Sequence, residues 1–213
     1  MELIRRERRD DAIIGEEGAG FGGTTGVAWI IDPLDGTTNF VYGYPAHSVA
    51  IGIEIDGRRA IGVVRDTARN REYSGIVGVG AWVDGVAIRA RNSSELSSAL
   101  VGTGFLPQSA VREKQGVILQ RVLPKVRDIR RSGCPSLDLC AVADGSLDAF
   151  YEYGLGRWDI AGGAAIAEAA GATVALLDGG ALPSPLVIAG GRDVVRMLHW
   201  AQYSHGRECG QRL

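Results

Sequence analysis

Apolar residues form short runs of β character over the first half of the chain. Over the second half such runs alternate with stretches of helical spacing. Val27 to Ile31 is an unbroken run ending at Asp32-Pro33, which predicts a buried strand stopped by the proline. Residues 48–56 and 60–66 are rich in Val and Ile and are joined at Asp56-Gly57, which predicts an antiparallel hairpin. Shorter strands are predicted near 71–74, 81–83 and 86–90, and another over 99–104. Val111, Gln115, Ile118, Leu119 and Val122 share one face of a helix predicted over 110–123, with Pro124 at its end. A short helix over 136–143, a strand over 147–153 and an alanine-rich helix over 159–170 closing at Gly171 follow. Strands over 173–177 and 186–189 and a helix over 192–203 complete the pattern. The charge-dense residues 2–12 read as the last turns of a surface helix. Strands first and alternation afterwards, with no repeat and no Pro/Ser-rich linker, predict one domain over 1–213. Its two lobes are 1–131 and 132–213, and its class is layered α+β or α/β.

Composition narrows the class. Glycine, at 31 of 213 residues, has about twice its usual share. No Gly-X-Y period is present, so collagen is excluded. With 46% hydrophobic and 23% charged residues, a disordered chain is excluded as well. Tight turns and close backbone approaches are left to account for the surplus. Lys and Arg total 23 against 25 Asp and Glu, a net charge of −2, which argues against nucleic acid as the main partner. The cysteines, Cys134, Cys140 and Cys209, have no CxxC spacing, so neither a disulfide framework nor a structural zinc site is expected. No apolar run approaches the roughly 20 residues of a membrane span, and the charged N-terminus lacks the apolar stretch of a signal peptide. The expectation is a cytoplasmic protein with no membrane partner.

The most specific chemistry lies in Asp32-Pro33-Leu34-Asp35-Gly36-Thr37-Thr38, at the end of an apolar strand. Sites in α/β folds gather at such ends. A turn there brings two aspartates to one side. Gly36 permits close approach, and the N–H groups of Gly36 and Thr37 can face an anion. Two like charges 4 Å apart repel by about 4 kcal/mol at an effective dielectric of 20, so the pair implies a cation between them. Hard oxygen ligands beside an anion site suit Mg²⁺. An Asp-Pro turn with an Asx cap is the ordinary alternative, but Asp-Pro-x-Asp-Gly-Thr arises by chance in only on the order of 10⁻⁴ chains of this length. Other acids are ambiguous alone. Gly15-Glu16-Glu17 reads as a solvated face or as a further metal ligand. Asp159, after Trp158, reads as a helix N-cap or a ligand. Glu152, inside an apolar strand, points either outward or into a site. Gly18 to Gly23 matches GxGxxG, but no clean strand precedes it and no helix follows, so it is not a dinucleotide fingerprint.

Taken together, Gly15-Glu16-Glu17, Trp29 to Phe40, and Trp158-Asp159 to Gly163 with Glu168 to Gly171 resemble, in order and spacing, the inositol monophosphatase family of Mg²⁺-dependent, lithium-sensitive phosphatases. The likeness runs from about residue 2 to 190, and 192–213 looks less typical. Cys134 to Cys140 and Ala149 to Gly154 fit the inositol branch. The resemblance implies a sugar-phosphatase-type layered sandwich. It implies a first metal held by Glu16, Asp32 and the Leu34 carbonyl, and a second by Asp32, Asp35 and Asp159. It also implies phosphate on the Gly36 and Thr37 amides, with the Thr37 hydroxyl orienting the attacking water. A substrate hydroxyl is implied on Glu152, and ring contacts at Gly133 and Cys134. It further implies a homodimer and about fifty more N-terminal residues. Those would form two helices and carry an aspartate that partners Thr37. On that comparison Met1 falls inside the second helix, the first helical layer is missing, and apolar sheet surface is left exposed.

The expected activity is hydrolysis of inositol 1-phosphate or a similar small polyol phosphate. Histidinol phosphate and fructose 1,6-bisphosphate are the alternatives within the family. A non-catalytic remnant that binds metal, phosphate or a protein is the alternative of another class. A glycosidase with paired carboxylates leaves the Asp-Gly-Thr turn unexplained.

Overall fold

The computed structural model describes residues 1–203 except 17, 19 and 94. Glu17 and Cys209 therefore lie outside the described residues. A helix α1 (Glu2–Glu7) leads into strand β1 (Ala12–Gly15) and then β2 (Val27–Asp35). A short helix α2 (Thr37–Tyr42) is followed by β3 (Ser48–Ile55), β4 (Arg58–Asp66), β5 (Arg71–Ile76), β6 (Gly80–Val83) and β7 (Val86–Ile88). These seven strands form one sheet in chain order, with β1 parallel to β2 and every later pair antiparallel. The β3–β4 turn is set by Asp56 and Gly57, both at positive φ (51° and 74°), the twist that a two-residue hairpin needs.

The rest of the chain is β8 (Leu100–Thr103), α3 (Ser109–Val122), β9 (Asp128–Arg130), α4 (Pro135–Ala143), β10 (Ala149–Tyr153), α5 (Arg157–Ala169), β11 (Thr173–Leu177), β12 (Leu186–Gly190) and α6 (Arg192–Tyr203). Its five strands form a second sheet in the order β11-β12-β10-β8-β9. The sheets divide between Ile88 and Leu100, so β8 and β9 join the second sheet although they precede residue 131. The pair α4–α5 packs between the sheets, and α3 and α6 cover the far side of the second. The layered class expected from the sequence is the observed one.

Small residues bring the layers together. A Cβ on Gly62 of β4 would lie 2.1 Å from the Gly162 carbonyl oxygen of α5, and one on Gly52 would lie 2.5 Å from the Ala161 Cβ. Part of the glycine surplus is therefore helix-on-sheet contact. On the opposite side of the first sheet, Trp29, Ile31, Ile51, Ile53 and Val63 are half-buried.

One sequence expectation is corrected. Pro33 does not stop the strand: β2 runs on to Asp35, because a register shift between Asp32 and Asp35 absorbs the residue that cannot donate. Strands β1 and β9 and helix α2 were not expected. Each is short, and β1 and α2 are set among polar or charged residues that hide their periodicity.

Candidate active site: a buried carboxylate cluster

The irregularity in β2 is what assembles the site. It leaves Asp32 paired with Ala50 and Asp35 paired with Ser48, with Pro33 and Leu34 outside the ladder. The turn is closed on itself: the Leu34 N–H donates to Asp32 Oδ1 (2.9 Å) and the Thr37 hydroxyl donates to the Leu34 carbonyl (3.0 Å). Gly36, at φ 82° and ψ 35°, precedes α2 in a left-handed conformation that suits glycine. A Cβ there would also meet the Ala46 carbonyl at 2.7 Å.

Asp159 comes from the first turn of α5. Its Oδ2 accepts from the Gly156 N–H at 2.7 Å, a capping interaction, and its carboxyl also faces Asp32. The two readings of Asp159 are therefore compatible: it caps the helix and belongs to the cluster. Asp32, Asp35 and Asp159 offer oxygens that all lie within 4.8 Å of one another, close enough to hold a cation. Glu16 sits in the exposed turn after β1, outside that 4.8 Å group but near enough for its charge to act on Asp32 and Asp159.

Burial sets the electrostatics. Asp32 is 1% exposed, and burial followed by the neighbouring Asp35 charge raises its carboxyl to about 7. Asp159 is pushed up to about 6, again by burial first and Asp35 second. Asp35, 4% exposed, is raised by burial against the pull of several donors. Its Oδ2 accepts the Ser136 N–H (2.8 Å), the Ser136 hydroxyl (2.5 Å) and the Cys134 thiol (3.0 Å), and the Gly36 amide also bonds to its carboxyl. Ser48 Oγ stands 2.7 Å from Ser136 Oγ and extends the chain. The donors on Oδ2 leave Oδ1 with capacity for a cation.

Cys134 departs from expectation. It is 0% exposed, its thiol serves Asp35, its N–H donates to Ser132 Oγ (3.1 Å) and its carbonyl accepts the Asp138 N–H (3.0 Å). A buried residue with every polar group engaged cannot touch a substrate ring, so its contribution is to the carboxylate. Gly133, at φ 85°, is partly open, with Arg131 and Asn39 against it. Glu152 points inward: it is 7% exposed on β10. Burial and then Asp138 raise its carboxyl to about 8, with Arg131 opposing. Ser136, Ser48, Asp138 and Arg131 were not picked out from the sequence. Pro135 in the first turn of α4 was the available signal, since the free N–H groups behind it favour an acid.

The profile of the inositol monophosphatase family matches residues 1–206. The chain belongs to this family. The match extends through α6, so the stretch from 192 to 206 is less atypical than its sequence suggests. The inositol-1-monophosphatase SuhB of Mycobacterium tuberculosis is 46% identical over 184 residues, covering 82% of this chain and 63% of the relative. The chain thus spans under two thirds of that protein's length. A Pasteurella multocida relative called Nus factor SuhB is 40% identical over 182 residues, covering 84% of this chain and 68% of its own. Among solved structures, the Anabaena inositol monophosphatase superposes with a TM-score of 0.85 at 33% identity, covering 94% of this chain and 81% of the other. No helix among the described residues is long and apolar enough to cross a membrane.

Proposed function

We propose that the chain hydrolyses a small phosphate monoester with Mg²⁺, and that inositol 1-phosphate is its substrate. The observation that carries this reading is the convergence of buried Asp32 and Asp35 and half-buried Asp159, from two separate elements, onto one point. Burial drives all three carboxyls toward the neutral form, and the Asp35 charge adds to this at Asp32 and Asp159, an arrangement that fits a divalent cation. Glu16, Asp32 and the Leu34 carbonyl are assigned to one ion, and Asp32, Asp35 and Asp159 to a second. Bound there, Mg²⁺ supplies an acidified water and offsets the charge of the phosphoryl group. The protein does the rest. Thr37, exposed beside the cluster, orients the attacking water, while the Gly36 and Thr37 amides receive phosphate, the Gly36 N–H turning from the Asp35 carboxyl to do so. Glu152 accepts a substrate hydroxyl, and Gly133 borders the ring.

A kcat/KM panel of inositol 1-phosphate, histidinol phosphate and fructose 1,6-bisphosphate, with Mg²⁺ and with EDTA, tests the assignment. Preference for the inositol ester, abolished by EDTA, supports it. Equal turnover with and without metal overturns it. Metal binding without turnover supports the remnant reading.

The consecutive exposed residues Phe40, Val41 and Tyr42, with Tyr44 beside them, favour an interface, here assigned to a second copy of the chain. The Nus-factor name of the Pasteurella relative favours a protein partner as the other occupant. Sedimentation of the protein alone separates these readings. A Tyr42→Ser variant that shifts a dimer to a monomer supports the first.

A further inference from the structure

Gly104 follows the last residue of β8. The parallel register Ala149↔Val101, Phe150↔Gly102, Tyr151↔Thr103 carries on to set it beside Glu152 of β10. Its φ lies outside the left-handed region, so the backbone itself admits any L residue. What excludes a side chain is one functional group. A Cβ on Gly104 would lie 2.1 Å from Glu152 Oε2 and 2.2 Å from both Cδ and Oε1, and these are its three nearest contacts. The carboxyl group thus lies folded over the bare backbone of residue 104.

The Glu152 main chain is held on both sides. Its register partner on β12 is Val187, and β8 flanks the other edge of β10. The strand cannot yield, whereas the glutamate side chain has rotatable bonds. A methyl group at 104 therefore moves the carboxyl and leaves the sheet in place. Backbone strain, the usual reason for a glycine, does not apply here. The group that meets the missing side chain is the one assigned to the substrate hydroxyl, and this inference rests on that assignment.

We propose that Gly104 is a positioning residue that sets specificity, its lack of a side chain seating the Glu152 carboxyl where a polyol hydroxyl of the substrate reaches it. The position selects for hydroxyl-bearing phosphate esters. It acts through Glu152 and not through the carboxylates of the cation cluster.

The test compares Gly104→Ala, Glu152→Ala and the double variant of the full chain on inositol 1-phosphate and on p-nitrophenyl phosphate, an ester with no hydroxyl to offer. In Gly104→Ala at neutral pH the ratio of kcat/KM for the inositol ester to that for the nitrophenyl ester falls about 3- to 10-fold, the range for one lost hydrogen bond to a carboxyl held mainly neutral. In the Glu152→Ala background the added methyl changes that ratio by less than about twofold. An unchanged ratio, an equal fall on both esters, or fully additive losses would overturn the proposal. Thermal melts of the same four proteins decide the matter independently of turnover. Gly104→Ala lowers Tm, and removing the Glu152 carboxyl cancels the loss. Equal Tm losses in both backgrounds count against the seat. If the wild-type chain turns over neither ester, the hydrolytic assignment fails while the melts still report on Gly104.

Discussion

Replacing Ser136 with alanine probes how the cluster is kept ready for a cation. Asp35 must be ionised to hold Mg²⁺, yet burial favours its neutral form. Three donors on Oδ2 oppose that preference, and Ser136→Ala removes the shortest of them, the hydroxyl at 2.5 Å. The Ser136 N–H and the Cys134 thiol remain. A hydrogen bond to a charged group contributes about 1.5–3 kcal/mol, and about 1.4 kcal/mol is tenfold in an equilibrium constant. Mg²⁺ affinity should therefore drop about 10- to 100-fold, the range also seen when groups behind metal ligands are removed. Calorimetric titration of Mg²⁺ into both proteins measures this. The deficit should shrink as pH rises, because hydroxide then does what the serine donor did. A variant with lower Tm but wild-type Mg²⁺ affinity at neutral pH would refute the reasoning and make Ser136 a packing residue only.

Stability should respond to pH in two opposite ways. Asp32 and Asp159, raised to about 7 and about 6, contribute stability that is full below the ordinary carboxylate range near 4. That contribution is lost as pH rises through their folded values. Melts in EDTA should fall between pH 5 and 8, and the rise in Tm on adding Mg²⁺ should grow over the same interval; a rise independent of pH contradicts this. Asp11, lowered to about 2 by Arg8, Thr25 and Trp29, behaves the other way. Its contribution is present above the ordinary range and lost as pH falls through about 2, so Asp11→Asn should melt earlier at pH 7 and match wild type in strong acid. Gly62→Ala should cost about 1–3 kcal/mol or more, read by urea denaturation, because its methyl meets the fixed backbone of α5. A neutral result would show that the helix can retreat from the sheet.

The long elements were legible because their patterns are local. The β3–β4 hairpin carries Asp-Gly at its turn, and α5 carries alanines up to Gly171. The Asp32–Thr37 motif was legible because its residue types are rare together. Other features depend on tertiary contacts. Pro33 reads as a strand end until the partner strand shows a bulge that accepts it. Glu152 alternates along β10, yet that strand is buried on both faces, so periodicity could not say which way the acid points. The resemblance puts Cys134 beside the substrate, and only the tertiary hydrogen bonds at the start of α4 show its thiol turned to Asp35. Glycines 52, 62 and 104 look alike in sequence, whereas two serve helix packing and the third lies under a carboxyl group.

On the proposed function, this carboxylate cluster holds the cation on which hydrolysis depends. Phosphate release from inositol 1-phosphate by the wild-type chain and by Asp32→Asn, each across a Mg²⁺ titration, tests it most directly. Mg²⁺-dependent release by the wild type, and none above background by Asp32→Asn, is the expected result. Full activity in Asp32→Asn, or wild-type release that ignores Mg²⁺, would contradict it.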